Sequence, residues 1–190
     1  MPLEFTNVVK GLITQTTLAA LFERGGYRVT RLGIEELFGE IKHIELEAYM
    51  RLNLPLPLRF LPDLLVAELD MSNAYMVEVK YRRKFDPNFL FTELSRQLEY
   101  WPQTHTVVMV SEPFETDRAY HQNYIRVLTP KDIEILGDRT LTPEQKWEKL
   151  NHLQRVFKAF NNDRYILDWQ KSADTLTQTL RDLANLQPNE

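Results

Sequence analysis

The sequence predicts a mixed α/β fold, a central sheet flanked by helices, and three observations carry that expectation. Apolar residues recur at spacings of three and four between Thr6 and Arg24, and the pattern stops at Gly25-Gly26. Two strand-type runs, over 58–69 and 74–81, meet at the turn residues Asp70-Met71-Ser72-Asn73. Val107-Val108-Met109-Val110 is a short continuous apolar run of the kind a buried strand shows, and helical patterns lie on either side of it.

The first helix rests on Val9, Ile13, Ala20 and Leu21, with Val8, Leu12 and Ala19 beside them. Thr6 or Asn7 can cap its start, and a glycine at its end accepts the left-handed conformation. Residues 27–32 alternate as a short strand. Helical spacing returns over 34–52 through Ile34, Leu37, Phe38, Ile41, Ile44, Ala48 and Leu52, with a solvated acidic face of Glu35, Glu36, Glu40, Glu45 and Glu47. Leu54-Pro55-Leu56-Pro57 breaks that helix. After the two motif strands, 89–101 reads as a helix ended by Pro102, 105–110 as the buried strand and 124–128 as another strand. Thr142-Pro143-Glu144-Gln145 starts a helix: an N-cap threonine, proline at the first helical position, then an acid in the first turn. That helix is expected to reach Phe160, and a last one to cover 169–186. Residues 1–140 are expected to form the core, and 141–190 a C-terminal helical extension packed on the same domain.

Composition narrows the function classes. A chain of 190 residues predicts one domain and should bury roughly 70% of its unfolded surface, enough to fold without a staple. Cysteine is absent, which removes disulfide scaffolds, thiol nucleophiles and cysteine zinc sites, and fits a cytoplasmic protein. No run approaches roughly 18 apolar residues, so no membrane span is expected, and the first ten residues are too polar for a signal peptide. The net charge of −4 excludes a general basic coat but leaves room for a local basic patch. His43, His105, His121 and His152 lack metal-type spacing, and neither a phosphate-binding glycine loop nor a Gly-x-Ser-x-Gly elbow occurs. Trp147, Leu150, Phe157 and Phe160 are spaced for a core or for a subunit interface, so a homodimer through the C-terminal helices is one expectation.

The informative anomaly is charge inside apolar strands. Asp63 interrupts Phe60-Leu61-Pro62-Asp63-Leu64-Leu65-Val66, and Glu78 and Lys80 interrupt Tyr75-Met76-Val77-Glu78-Val79-Lys80-Tyr81. Side chains alternate along a strand, so Glu78 and Lys80 share one face while Val77, Val79 and Tyr81 take the other. If the two strands pair through the turn at 70–73, Asp63 falls close to Glu78, and two carboxylates and an ammonium converge. Pro62 limits ladder pairing there and suits a bulge or strand end.

Pro62-Asp63 followed by Glu78-Val79-Lys80 resembles the motif of the PD-(D/E)XK nuclease superfamily. The order helix, motif strands, helix, strand resembles its core over about residues 12–110. Two other Glu-x-Lys triplets, Glu40-Ile41-Lys42 and Glu144-Gln145-Lys146, fall on expected helices, where positions i and i+2 diverge by about 200° and cannot share a site. The resemblance implies a restriction endonuclease-like mixed sheet flanked by helices and metal-assisted hydrolysis of a DNA phosphodiester. Asp63 and Glu78 would be hard oxygen ligands for Mg²⁺ or Mn²⁺, with the Val79 carbonyl as a third. Lys80 would stabilise developing charge beside the metal. Many members carry a glutamate in the first helix; here Gln15 stands there, able to reach a metal through its amide oxygen but supplying no charge, and Glu23 sits at the helix end as a surface residue. Gln97 and Trp101 resemble a glutamine–aromatic pattern on the helix after the motif, which would place Gln97 in the catalytic group. Arg82-Arg83-Lys84 follows the motif directly and is the expected DNA-phosphate patch, with Arg28, Arg31 and Arg59 as further candidates. The alternative expectation is a nuclease-fold protein without catalysis that binds nucleic acid or protein.

Overall fold

The computed structural model describes residues 2–37, 48, 51–114 and 120–185. In chain order α1 (Pro2–Arg24), β1 (Tyr27–Arg31), α2 (Ile34–Leu37), α3 (Leu56–Arg59), β2 (Leu64–Glu68) and β3 (Ala74–Arg82) come first. Then follow α4 (Pro87–Tyr100), β4 (His105–Val110), α5 (Tyr120–Tyr124), β5 (Ile125–Leu128), α6 (Ile133–Gly137), α7 (Pro143–Lys149), α8 (Leu153–Val156) and α9 (Ile166–Asn185). The five strands lie in sequence order in one mixed sheet. A short turn joins the antiparallel pair β2–β3, and β1 pairs antiparallel with β2 across the long connection of residues 32–63, whereas α4 carries the chain back across the sheet so that β4 runs parallel to β3.

β3 is longer than its neighbours, and this makes the fork on which the site is built. It pairs with β2 over Ala74–Val77 and with β4 over Val77–Arg82. Beyond Val77, the edge of β3 that faced β2 is left without a strand.

Period two sorts the sheet residues onto two helical layers. Val77, Val79, Val107, Met109 and Val127 pack with Leu18 and Phe22 of α1, with Phe157 and Phe160, and with Trp169, Ala173 and Leu176 of α9. Val108, Val110 and Leu128 pack on the opposite face with Leu90 and Leu94 of α4, Leu136 of α6, Trp147 of α7 and Leu150. Trp147, Leu150, Phe157 and Phe160 thus belong to the chain's own core, and a homodimer through the C-terminal helices would have to use other residues.

Local chemistry sets the boundaries. Gly26 takes φ +86°, the left-handed turn that ends α1, and Gly25 lies so close to the Phe160 ring that a Cβ would come within 2.0 Å of Cε1. Asp86 caps α4 by accepting from Asn88 N and Phe89 N at 3.1 Å, with Pro87 next in the first turn. Thr142 is the N-cap of α7, as the sequence predicts, and the structure adds a reciprocal capping box with Gln145.

Two expectations need correction. Residues 58–69 are not one strand. The prolines at 55 and 57 start the single helical turn α3, with Phe60 N donating to Leu56 O, and pairing begins only at Leu64. The helix from Thr142 does not run to Phe160: it stops at Lys149, because Asn151 exchanges two backbone hydrogen bonds with Val127 on the outer edge of β5. That pairing satisfies an edge that no strand covers, and the chain resumes as α8 and a 3-10 turn over Lys158–Asn161. Most of 34–52, including Glu40-Ile41-Lys42 and His43, lies outside the described residues, as does His121's side chain. Lys146 of the other stray triplet is buried and donates to Leu136 O at 2.6 Å, a structural contact. Among the described residues no helix is long and apolar enough to cross a membrane.

Candidate active site

Asp63 stands where the β2 ladder stops. The register that pairs Leu64 with Val77 would next set Asp63 opposite Glu78. Pro62 has no N–H to extend the ladder. The Val79 N–H instead donates to Asp63 Oδ2 at 2.7 Å, so a side chain replaces the missing strand. N–H and C=O of one strand residue point to the same edge, so the Val79 carbonyl also faces this open side of the fork. The main chain of Asp63 is fixed from β1's end: Leu32 N and Gly33 N both donate to its carbonyl, at 2.8 and 3.4 Å.

Glu78 and Lys80 point to the layer that holds α4. Glu78 is buried, and its Oε1 lies 2.8 Å from Lys80 Nζ. Its Oε2 accepts from Gln97 Nε2 at 2.7 Å, and the same amide nitrogen lies 3.4 Å from Phe60 O. Gln97 is buried on the stripe of α4 that also carries Leu90 and Leu94. Desolvation pulls the Lys80 ammonium down, but Glu78, helped by Glu93 and Asp63, outweighs it and holds its pKa above the ordinary lysine value. Lys80 is therefore a cation throughout the physiological range, a donor and not a proton acceptor.

The other layer contributes Gln15. From α1 its Nε2 donates to Asp63 Oδ1 at 2.7 Å. Gln15, Asp63, Glu78, Val79, Lys80 and Gln97, picked from the sequence, thus form one cluster bridging both helical layers through the fork. Gln15 turns its amide nitrogen, not its oxygen, towards Asp63, and so orients that carboxylate. Glu23 is exposed at the far end of α1. Trp101 donates to Pro57 O at 2.9 Å and ties α4 to the α3 turn.

The basic segment is engaged with acids. Arg82 pairs with Glu93 of α4 and lies over the Phe89 ring at 4.7 Å. Arg83 and Lys84 are mainly exposed and share Glu112. Sequence reasoning missed Glu93, although its place four residues before Gln97 puts the two on one helical face. It also underweighted Arg31, which reaches Thr16 Oγ1 at 3.2 Å, next to Gln15.

Mg²⁺ is usually bound through one or two carboxylates and keeps several waters, and the oxygen groups of that kind at the fork are Asp63, Glu78 and the Val79 carbonyl. Among the described residues no group of three or more histidine or carboxylate side chains forms a ready-made cage. Compared with protein-family models, curated proteins and solved structures, the chain matches none.

Proposed function

We propose that this protein is a divalent-metal-dependent nuclease that hydrolyses DNA phosphodiesters, built on a restriction endonuclease-like PD-(D/E)XK core. The observation that carries it is the Asp63 carboxylate at the open end of the β2–β3 fork, accepting from the Val79 N–H, with the preceding residue of β3, Glu78, paired to Lys80. The chain order α1-β1-α2-α3-β2-β3-α4-β4 supports the same assignment.

Asp63, Glu78 and the Val79 carbonyl would hold Mg²⁺ or Mn²⁺. When bound, the ion supplies Lewis acidity towards the phosphate and lowers the pKa of a water. The protein's own groups do the rest. Gln15 and Gln97 fix the two carboxylates in orientation, so little reorganisation is left for the reaction. Lys80, kept protonated, donates to the non-bridging oxygen on which negative charge grows as water attacks phosphorus. Arg83 and Lys84, just past the end of β3, can exchange Glu112 for backbone phosphates.

Gln15 favours a second reading, a nuclease-fold protein that binds DNA or a protein without cutting, because it leaves two acids where many members of the resembled family have three. Incubating single-stranded, duplex and branched DNA with and without Mg²⁺ or Mn²⁺ separates the two. Metal-dependent cleavage abolished by Lys80→Ala supports the nuclease, whereas metal-independent binding with no product supports the module.

A further inference from the structure

Arg31 ends β1, the edge strand of the sheet, and its cross-strand partner is Leu64, the residue after Asp63. The next residue, Leu32, donates its N–H to Asp63 O at 2.8 Å, so Arg31 is fixed one peptide away from the main chain of Asp63. Along β1, Tyr27 and Val29 point into the α1 layer, and Arg31 shares their parity. Its guanidinium emerges beside Thr16, adjacent to the Gln15 that holds Asp63.

Its present contacts hold it loosely. The Thr16 hydroxyl accepts at 3.2 Å, and Glu36 lies 3.9 Å away in a pair whose side chains are 40% and 38% exposed. Such a pair contributes little. A guanidinium has five donors, and Arg31 is an exposed residue whose guanidinium bonds Thr16, next to the Gln15 that holds Asp63. Arg82, by contrast, is held by Glu93 and Phe89, and Arg83 and Lys84 lie past the end of β3, where both pair with Glu112.

We propose that Arg31 is a substrate-phosphate contact of this site, gripping through paired N–H donors a backbone phosphate adjacent to the one that is cut. The inference rests on the nuclease reading and adds where the substrate strand passes: over the end of β1 and across α1, on the Gln15 side of the fork. A bidentate arginine suits this role because its planar fork matches two phosphate oxygens, and the neighbouring carboxylates repel the strand wherever no cation intervenes.

Binding of a fluorescent duplex in metal-free buffer, measured at several salt concentrations, tests it without requiring cleavage. Arg31→Ala should flatten the slope of log affinity against log salt by about 0.9 relative to wild type. Arg31→Lys should keep most of the slope, since the charge remains. Arg139→Ala, an exposed arginine on the loop between α6 and α7, should match wild type. An unchanged slope for Arg31→Ala while the wild type binds would overturn the assignment and leave the nuclease reading standing. Equal flattening by Arg139→Ala would also overturn it, as diffuse charge would suffice. A wild type with no salt-dependent DNA binding would remove the nuclease reading and Arg31's role together.

Discussion

Gln97 donates through Nε2 to Glu78 Oε2 at 2.7 Å, and both side chains are buried. The carboxylate's other oxygen is taken by Lys80. Gln97→Met keeps the volume but leaves a buried carboxylate oxygen short of a donor, which should cost about 1–3 kcal/mol. Chemical denaturation should show that loss, and metal-dependent cleavage should fall with it as Glu78 gains rotational freedom. A change below about 0.5 kcal/mol would mean that the Gln97–Glu78 bond is absent in solution.

Gln15 stabilises the Asp63 carboxylate by donating a hydrogen bond to it. Gln15→Glu replaces that donor with a third carboxylate. Without metal, the melting temperature should drop, by about 2–4 °C for each kcal/mol of repulsion and lost hydrogen bonding. Adding Mg²⁺ or Mn²⁺ should raise it more than in wild type, because the ion then relieves three charges. Asp63→Ala should show little metal-dependent rise. Melting curves of the three proteins across a metal titration check the order.

Tyr27 gives a pH dependence. Burial in the α1 layer drives its phenol pKa well above the usual value, and the hydrogen bond from Ala159 N only partly opposes this. The folded chain therefore holds a proton that the unfolded chain releases near pH 10. The contribution is complete below about pH 10 and declines as pH rises through the folded-state pKa, by at most about 1.4 kcal/mol per pH unit for this one group. Tyr27→Phe should be less stable at pH 7, having lost the acceptor for Ala159 N, yet should show a shallower decline above pH 10. Denaturation midpoints between pH 8 and 11 check both parts.

Gly25 bears on the joint between α1 and the C-terminal layer. A Cβ there would meet Phe160 Cε1 at 2.0 Å and Cδ1 at 2.4 Å, inside contact distance for atoms of a packed ring. Gly25→Ala should destabilise by about 1–3 kcal/mol. Phe160→Leu costs stability alone but should cost less in the Gly25→Ala background, since the smaller side chain gives room. A double-mutant cycle reads that coupling, and additivity would show that the ring is not the obstacle.

Much of this was legible in the sequence. Strand period two placed Glu78 and Lys80 on one face, and the turn at 70–73 set the register that brings Asp63 to the Val79 N–H, beside Glu78 in the chain. Gln97 was legible only through the resemblance of Gln97 and Trp101 to a glutamine–aromatic pattern; the structure sets it on the buried stripe with Leu90 and Leu94. What escaped depends on chain reversals with no local signal. The break at Asn151 exists because β5 needs an edge partner, which no composition near 151 announces. The Arg82–Glu93 pair joins a strand to a helix eleven residues later, and turns into an internal contact a residue that reads as a DNA contact by adjacency alone. Arg31 gains its place from the β1–β2 register and from α1, both distant in sequence from the motif it flanks.

The most direct test of the nuclease assignment is cleavage by wild type and Lys80→Ala, on single-stranded, duplex and branched DNA, at millimolar Mg²⁺ or Mn²⁺. Wild type should cut only with metal. Lys80→Ala should keep the metal-induced rise in melting temperature yet cleave at least about a hundredfold more slowly, as expected for loss of a group that stabilises transition-state charge. Equal cleavage by the two proteins, or no cleavage of any substrate by a wild type that demonstrably binds metal, would contradict the assignment.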